Sequence, residues 1–502
     1  MQAVVGGGFP VSLREVLPEA QFRGSGDIRV GSCARDSRRV RPGDLFVALP
    51  GSRSDGHDFI AQAVAHGCQA VVAQRPIPDI SVPVCYVPDT RAAYGRICQA
   101  LAGHPSRKLK VIGISGNRGK TTTSCLVAGV LATGGCRVGL VGTLGGFDGD
   151  RFGDTSCSTP PADELAGWLR RMVANGCSHA VLEVSSRALD QVRLAGVTLD
   201  MACMTNVRRD CLGERRAIRD YRLSQLRIMD YLAGEGMAIL NADDSTSAAF
   251  LSQIDRPTLT VAMESAAEIS GTLVERQLSE QAFLLTAGSD TAVVRTRMIG
   301  RHHVSNCLMA AAVGLAYGID LMTVVRGLEK VDRVPGRLER IECGQPFGVF
   351  VDVAHTPGAL TGCLESLREV VAGRLICVFG AAGERGRRKR PLIGRAVEEA
   401  ADVAVVTSDN PRGEDARKII EEILSGFRRP GDAVVLGDRS EAIGWALSQA
   451  EPGDCVLIAG KGHEQFQIIG DRRLPFDDRE VARRWLYEKR PCADTPVVRH
   501  NG

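Results

Sequence analysis

No two of the sixteen cysteines lie within four residues of one another. That spacing excludes paired zinc ligands and a Cys-x-x-Cys redox motif, and scattered thiols in a large chain point to a reducing cytosol. Also absent is any run of about eighteen apolar residues, so no membrane insertion is expected. Residues 1–6 lack a basic start leading into a sustained apolar core, which is not the pattern of a secretory leader, and a cytoplasmic location is expected. Charge is nearly balanced, 62 Lys and Arg against 59 Asp and Glu for a formal +3, which gives no support for nucleic acid as a partner. No repeat of fixed period occurs, and solenoids are set aside. What remains is a 502-residue chain long enough for about three domains, each with its own core.

The most informative stretch present is Gly116-Asn117-Arg118-Gly119-Lys120-Thr121-Thr122-Thr123. It follows the apolar run Lys110-Val111-Ile112-Gly113-Ile114 and opens a helical pattern. A strand that turns through glycines into a helix presents backbone N–H groups to an anion. In such a loop Lys120 reaches terminal phosphates and the Thr121 hydroxyl ligates a bridging magnesium ion. A glycine-rich turn with a surface lysine is the plainer alternative, but it leaves the Gly-Lys-Thr order unexplained. The strict Gly-x-x-x-x-Gly-Lys-Thr spacing wants glycine where Ile114 stands, so a shorter, variant P-loop fits better.

Three regions are expected: 1–106, 107–334 and 335–502. The first mixes short apolar runs, such as residues 44–49 and 70–73, with turn residues and ends near Gly103-His104-Pro105-Ser106. From residue 108 onward, apolar runs at 138–141, 179–184, 200–205 and 237–240 alternate with helical patterns. Continuous rather than alternating apolar runs belong to strands covered on both faces, hence a mostly parallel α/β sheet. The pattern restarts after Pro335-Gly336-Arg337, with runs at 348–353, 375–379, 402–406 and 454–458, and reads as a smaller, dinucleotide-fold-like domain.

Polar constellations stand at the ends of these strands, where open α/β sheets bind ligands. Glu183, before Val184-Ser185-Ser186-Arg187, can complete a magnesium shell begun at Thr121, or can simply cap the next helix. Asp352-Val353-Ala354-His355-Thr356-Pro357 and Asp409-Asn410-Pro411-Arg412 each close a strand, and each taken singly is an ordinary turn. In Gly460-Lys461-Gly462-His463-Glu464, two glycines around a lysine let backbone and side chain approach an anion together. Four such clusters suggest a cleft.

Asp36-Ser37-Arg38, Gly-Lys-Thr-Thr, Glu183 to Ser186, Thr205-Asn206, Asn241-Ala242-Asp243-Asp244, Gly336-Arg337, 352–357, 409–412 and 460–464 occur in an order that resembles the Mur ligases over nearly the whole chain. Within them the chain looks most like the MurE type. The resemblance implies an ATP-dependent amide ligase of three domains: one for a uridine nucleotide, a central ATPase, and a C-terminal one closing over an amino acid. It implies activation of the D-glutamate carboxylate of UDP-N-acetylmuramoyl-L-alanyl-D-glutamate as an acyl phosphate, then attack by an incoming amine, in peptidoglycan precursor synthesis by a monomer.

By the same resemblance Lys120, Glu183 and His355 are catalytic, and Gly116, Asn117, Arg118, Gly119, Lys120, Thr121, Thr122, Asn306, Arg337 and Asp352 bind ATP. Ser37, Ser158, Thr159, Ser185 and Arg193 resemble contacts to the uridine nucleotide substrate, and Thr121 and Glu183 the Mg2+ ligands. Arg385, Asp409, Asn410, Pro411, Arg412, Gly460 and Glu464 resemble the amino-acid pocket. The Asp-Asn-Pro-Arg sequence is associated in the family with meso-diaminopimelate, whose distal carboxylate a guanidinium can hold in a bidentate pair.

The chain departs from the family around the phosphates. Asn117-Arg118 stands for Thr-Asn, Arg187 for histidine, His303 for asparagine, Val353 for tyrosine, and Asp210-Cys211-Leu212-Gly213 for Asp-His-Leu-Asp. Gln225 stands for a lysine that is carbamylated to help hold a second magnesium, and glutamine forms no carbamate. Arg118 and Arg187 are expected to neutralise phosphate charge instead. A weakly active or inactive nucleotide-binding paralogue, and a Mur-like ligase for another acceptor, stay open as alternatives.

Overall fold

The computed structural model describes residues 10–51, 54–207, 223–384 and 386–488. By internal contacts the chain separates into two compact units, one comprising 1–271, 285–292 and 305–330, the other 272–284, 293–304 and 331–502.

The first unit starts with a five-stranded sheet in the order Gln21–Arg23, Val84–Tyr86, Ala70–Ala73, Leu45–Val47, Cys33–Ala34, parallel except at its first pair. Apolar clusters cover both faces, one built on Leu45, Val72 and Ile97, the other on Phe46, Val71 and Ile60.

Next comes the large sheet. Its order is Phe152–Gly153, Gly145–Phe147, Val138–Gly142, His179–Glu183, Lys110–Ser115, Leu199–Met204, Leu232–Asn241, Thr258–Ala262 and Ile269–Arg276, continued by Gln281–Ala287 and Asp290–Thr296. From Val138–Gly142 to Ile269–Arg276 every neighbouring pair is parallel. This is the double coverage that the continuous apolar runs imply. Lys110–Ser115 lies in the middle, and the chain leaves it through the helix Lys120–Thr133 to one side and returns with Leu199–Met204 on the other. The glycine loop therefore sits at a topological switch point, the place where such sheets open a crevice beyond the strand ends. The hairpin at 145–153 and the strands at 269–296 add to the sheet beyond the apolar runs named above.

In the second unit a six-stranded sheet runs Glu339–Arg340, Gly348–Asp352, Cys455–Ala459, Leu375–Phe379, Val403–Val406, Val434–Val435, parallel after its first pair. Helices Pro357–Arg368 and Arg390–Ala400 pack on one face, Arg439–Gln449 and Asp478–Glu488 on the other. A hairpin, Phe466–Ile469 with Arg472–Pro475, precedes the last helix.

Candidate active site

In the first unit the loop after Lys110–Ser115 turns through two glycines, Gly116 at φ 131° and Gly119 at φ 83°. Both are required. A Cβ on Gly116 would stand 2.1 Å from Thr205 Oγ1, and one on Gly119 would stand 2.4 Å from Asn306 Oδ1. Thr205 and Asn206 buttress the loop from the neighbouring strand end: Thr205 Oγ1 donates to Arg118 O at 2.6 Å, and Asn206 O and Oδ1 accept from Asn117 N and Arg118 N at 2.9 and 3.1 Å. The buttress was legible only as part of the family's motif order, without a role attached to it.

Lys120 opens the helix, and its Nζ donates to Gly116 O at 2.7 Å and Asn117 O at 3.2 Å, so the ammonium lies within the loop. Thr121, in the first turn, donates to Glu183 Oε2 at 3.1 Å. Glu183 is 2% exposed and also accepts from Thr143 N at 2.9 Å and Thr143 Oγ1 at 2.8 Å. Thr143 is a site residue that no sequence signal marked. Asn306 accepts from Thr123 Oγ1 at 3.2 Å through Oδ1, while its buried Nδ2 has no hydrogen-bond partner among the described residues.

Glu183 also connects the phosphate loop to the expected acceptor contacts. Thr159 Oγ1 donates to Glu183 O at 2.8 Å and accepts from Ser185 N at 3.0 Å, and Ser185 caps the helix Ser186–Asp190. Arg193 donates through Nη1 to Thr159 O and to Cys157 Sγ, and Gln191 Oε1 fixes its guanidinium at 2.7 and 3.0 Å. Ser158 is half-buried beside them. Ser37 is buried elsewhere, donating to Gln62 Oε1 at 2.8 Å. The segment before it reaches the helix Ala162–Ala174 through Arg35, whose Nε is 3.7 Å from Asp163 Oδ1. Gln225 is fully buried and accepts a hydrogen bond from Ser115 Oγ. Arg385 and Cys211 lie outside the described residues.

In the second unit Asp352 is buried and accepts from Leu338 N at 2.6 Å and Ala354 N at 2.7 Å, which pins the turn carrying Arg337. Gly336 is pressed against the 460s loop, since a Cβ there would be 2.1 Å from His463 N. His355 is exposed, its Nδ1 2.7 Å from Val353 O. His303 is fully buried with no partner for either ring nitrogen among the described residues, and burial, with the charges of His302 and Arg337, pushes its pKa well down.

Asp409, Asn410, Pro411, Gly460 and Glu464 come together beyond the strand ends. Lys461 does not face outward as its glycine neighbours suggest. Its fully buried ammonium donates to Phe466 O at 2.6 Å and to Asn410 Oδ1 and Glu464 Oε2 at 3.3 Å each. Asn410 Oδ1 also accepts from Ile468 N at 2.9 Å, which leaves Nδ2 to donate to Glu464 Oε2 at 2.9 Å. The lysine thus orients two candidate binding side chains from beneath. Burial raises the pKa of Asp409, opposed by Arg439 and Lys461. Arg412 has φ 54° and is held there by the hairpin: its N donates to Ile468 O at 3.0 Å and its O accepts from Gly470 N at 2.7 Å. Arg390, 1% exposed, ties the two flanking loops with bonds to Glu414 at 2.8 and 2.9 Å and to Ala382 O at 3.1 Å.

A glycine loop feeding a helix at the switch point of a parallel sheet, with a carboxylate and a hydroxyl at its mouth, defines a P-loop-type phosphate-binding protein with a second α/β unit. Three family profiles match it in order: "Mur ligase family, catalytic domain" at 30–101, "Mur ligase middle domain" at 114–314, and "Mur ligase, glutamate ligase domain" at 336–462. The chain belongs to the Mur ligase family. It is 38% identical over 481 residues to the UDP-N-acetylmuramoyl-L-alanyl-D-glutamate--2,6-diaminopimelate ligase of Geobacillus thermodenitrificans, covering 94% of this chain and 98% of that protein. A UDP-N-acetylmuramyl-tripeptide synthetase of Roseiflexus is 39% identical, with 90% and 94% covered. A solved structure of a UDP-N-acetylmuramoyl-L-alanyl-D-glutamate--2,6-diaminopimelate ligase superposes with TM-score 0.67 at 28% identity, covering 95% of this chain and 99% of that one.

Proposed function

We propose that the protein is the ATP-dependent ligase that adds meso-diaminopimelate to UDP-N-acetylmuramoyl-L-alanyl-D-glutamate. The observation that carries this reading is the Thr121–Glu183 contact at 3.1 Å beside the Lys120 loop; within the second unit, Asn410 and Glu464 meet at 2.9 Å beside Arg412. The three domains are 1–106, 107–334 and 335–502, and each family profile falls within one of them. It acts as a cytoplasmic monomer; among the described residues no helix is long and apolar enough to cross a membrane.

The chemical difficulty is the approach of a carboxylate to a polyanionic triphosphate. Lys120 and the loop N–H groups neutralise phosphate charge, and because these donors are fixed before reaction they need no reorganisation in the transition state. The acceptor carboxylate attacks the terminal phosphorus and the bond to the β-phosphate oxygen breaks, leaving ADP and an acyl phosphate. The incoming amine, as free base, attacks the acyl carbon, the C–O bond to phosphate breaks, and inorganic phosphate leaves with its electron pair and takes up the proton that the amine loses. Thr159, Ser185 and Arg193 hold the acceptor, and Arg412 pairs with the distal carboxylate of diaminopimelate while Glu464 faces an ammonium. The buried Nδ2 of Asn306, without a hydrogen-bond partner among the described residues, is a donor suited to the nucleotide. Thr121 and Glu183 suit a magnesium ion that keeps most of its shell from phosphate and water, and such an ion supplies further charge neutralisation.

Gln225 favours a second reading, a weakly active nucleotide-binding paralogue. A neutral, buried amide bonded to Ser115 stands where the family has an anionic metal ligand. Arg118 and Arg187 compensate by neutralising phosphate directly. Release of phosphate by purified protein with ATP, magnesium and the acceptor nucleotide tests both readings. Release with diaminopimelate but not with lysine or without amino acid supports the ligase, and silence in all three arms supports the paralogue. A steep requirement for a second magnesium ion that Arg118→Ala leaves unchanged would remove the compensation.

A further inference from the structure

Arg439 and Asp478 form an ion pair with neither side chain exposed, Nε to Oδ1 and Nη2 to Oδ2 each at 2.7 Å. They are the first residues of the helices Arg439–Gln449 and Asp478–Glu488. A cation at a helix N-terminus opposes the helix dipole, and a buried ion pair adds little net stability over apolar side chains of the same size. What the pair does supply is geometry. Arg439 Nη2 donates onward to Ala459 O at 2.9 Å, and Nη1 donates to Ser408 O at 3.4 Å. These two carbonyls belong to the residues immediately before Gly460 and Asp409.

The strands that deliver those loops, Cys455–Ala459 and Val403–Val406, are not neighbours, because Leu375–Phe379 lies between them. No pairing of these two strands therefore sets the distance between the loop of Asn410 and Arg412 and the loop of Glu464, which also meet through side chains at 410, 461 and 464 and through the bridge of Arg412 to Ile469. The guanidinium spans that gap. A Cβ on Gly460 would stand 3.2 Å from Asp409 Oδ2 and 3.9 Å from Arg439 Nη2, so both side chains close on this glycine.

We infer that Arg439, held by Asp478, is a positioning residue of the amino-acid pocket beside Lys461: it helps fix the spacing of the 409–412 and 460–464 loops and thereby the affinity for a dicarboxylic amino acid. The inference rests on the amino-acid-binding role proposed for those loops. A misplacement of about 1 Å in such a site costs on the order of a hundredfold in rate.

The test replaces the pair with apolar residues, Arg439→Met with Asp478→Leu, which removes the two onward hydrogen bonds and leaves neither member of the pair as a lone charge, while Asp409 keeps Lys461 at 3.9 Å as its neighbouring cation. Steady-state kinetics of the full chain should show KM for diaminopimelate raised about tenfold or more, with KM for ATP and for the acceptor nucleotide within about twofold of wild type. Backbone amide exchange at 408–412 and 460–464 should quicken in the unliganded protein, while the core strand 375–379 stays protected. Unchanged exchange and unchanged KM overturn the inference, and so does a double variant that fails to fold, because the pair then serves the fold rather than the pocket. If the wild type takes no diaminopimelate, the proposed function fails, and the exchange comparison still decides the positioning role.

Discussion

Thr121 Oγ1 donates to Glu183 Oε2 at 3.1 Å, although the two residues are 62 positions apart in the chain. The hydroxyl enters from the first turn of a helix and the carboxylate from the end of the adjoining parallel strand, in the register Glu183 opposite Ile114. Thr143 grips the same carboxylate from the other side. A hydroxyl and a carboxylate are thus brought together at the mouth of the loop that carries Lys120.

Glu183→Gln keeps the volume and removes the charge. The magnesium concentration for half-maximal phosphate release should rise about 10- to 100-fold, while ATP affinity measured in chelator stays near wild type. A magnesium titration that overlays the wild-type curve would show that Glu183 is only a helix-flanking acid.

Gly116→Ala forces a side chain into φ 131° and places Cβ 2.1 Å from Thr205 Oγ1. A cost of about 1–3 kcal/mol in stability is expected, together with loss of ATP binding, because the loop N–H groups no longer converge. Thermal melting and calorimetry read the two effects separately; retained affinity with a lowered melting temperature would detach the loop from the nucleotide.

Arg412→Lys keeps a positive charge and loses the planar fork. KM for diaminopimelate should rise by about tenfold or more, with KM for ATP little changed, since a lysine ammonium cannot pair with both oxygens of a carboxylate. Equal KM values for the two proteins would assign Arg412 to the hairpin alone.

Acid should loosen the second unit through Glu414. Hydrogen bonding from Arg390, then from Glu384 N, holds its carboxyl at about 2, below the ordinary 4.5. A folded-state pKa below the unfolded one means that stability from this group is complete above about pH 4.5 and is lost as pH falls through about 2. Melting curves between pH 5 and 2 should therefore fall less steeply for Glu414→Gln than for wild type. Parallel curves would show that the pair does not couple protonation to folding.

Much of this arrangement is legible in the chain because it is local. Residues 110–123 announce strand, glycine turn and helix in one continuous run, and the strands ending at Glu183 and Asp352 are apolar segments whose last residue is acidic. Lys461 shows the limit. Its two flanking glycines suggest a cation facing an anion, yet packing of the hairpin Phe466–Ile469 turns the ammonium inward, where it also meets Asn410, 51 residues away in the chain.

The sequence by itself determined the strand and helix segments, the phosphate loop and the identity of the side chains at each strand end, because these depend on short-range hydrophobic period and turn chemistry. Only the tertiary structure decided which of those ends meet, that Asn206 braces the phosphate loop, and that Arg390 and Arg439 lie buried among carboxylates 24 to 39 residues away. The physical reason is that burying a guanidinium is favourable only where carbonyls and carboxylates from separate strands converge on it, and that convergence is a property of the packed sheet rather than of any segment.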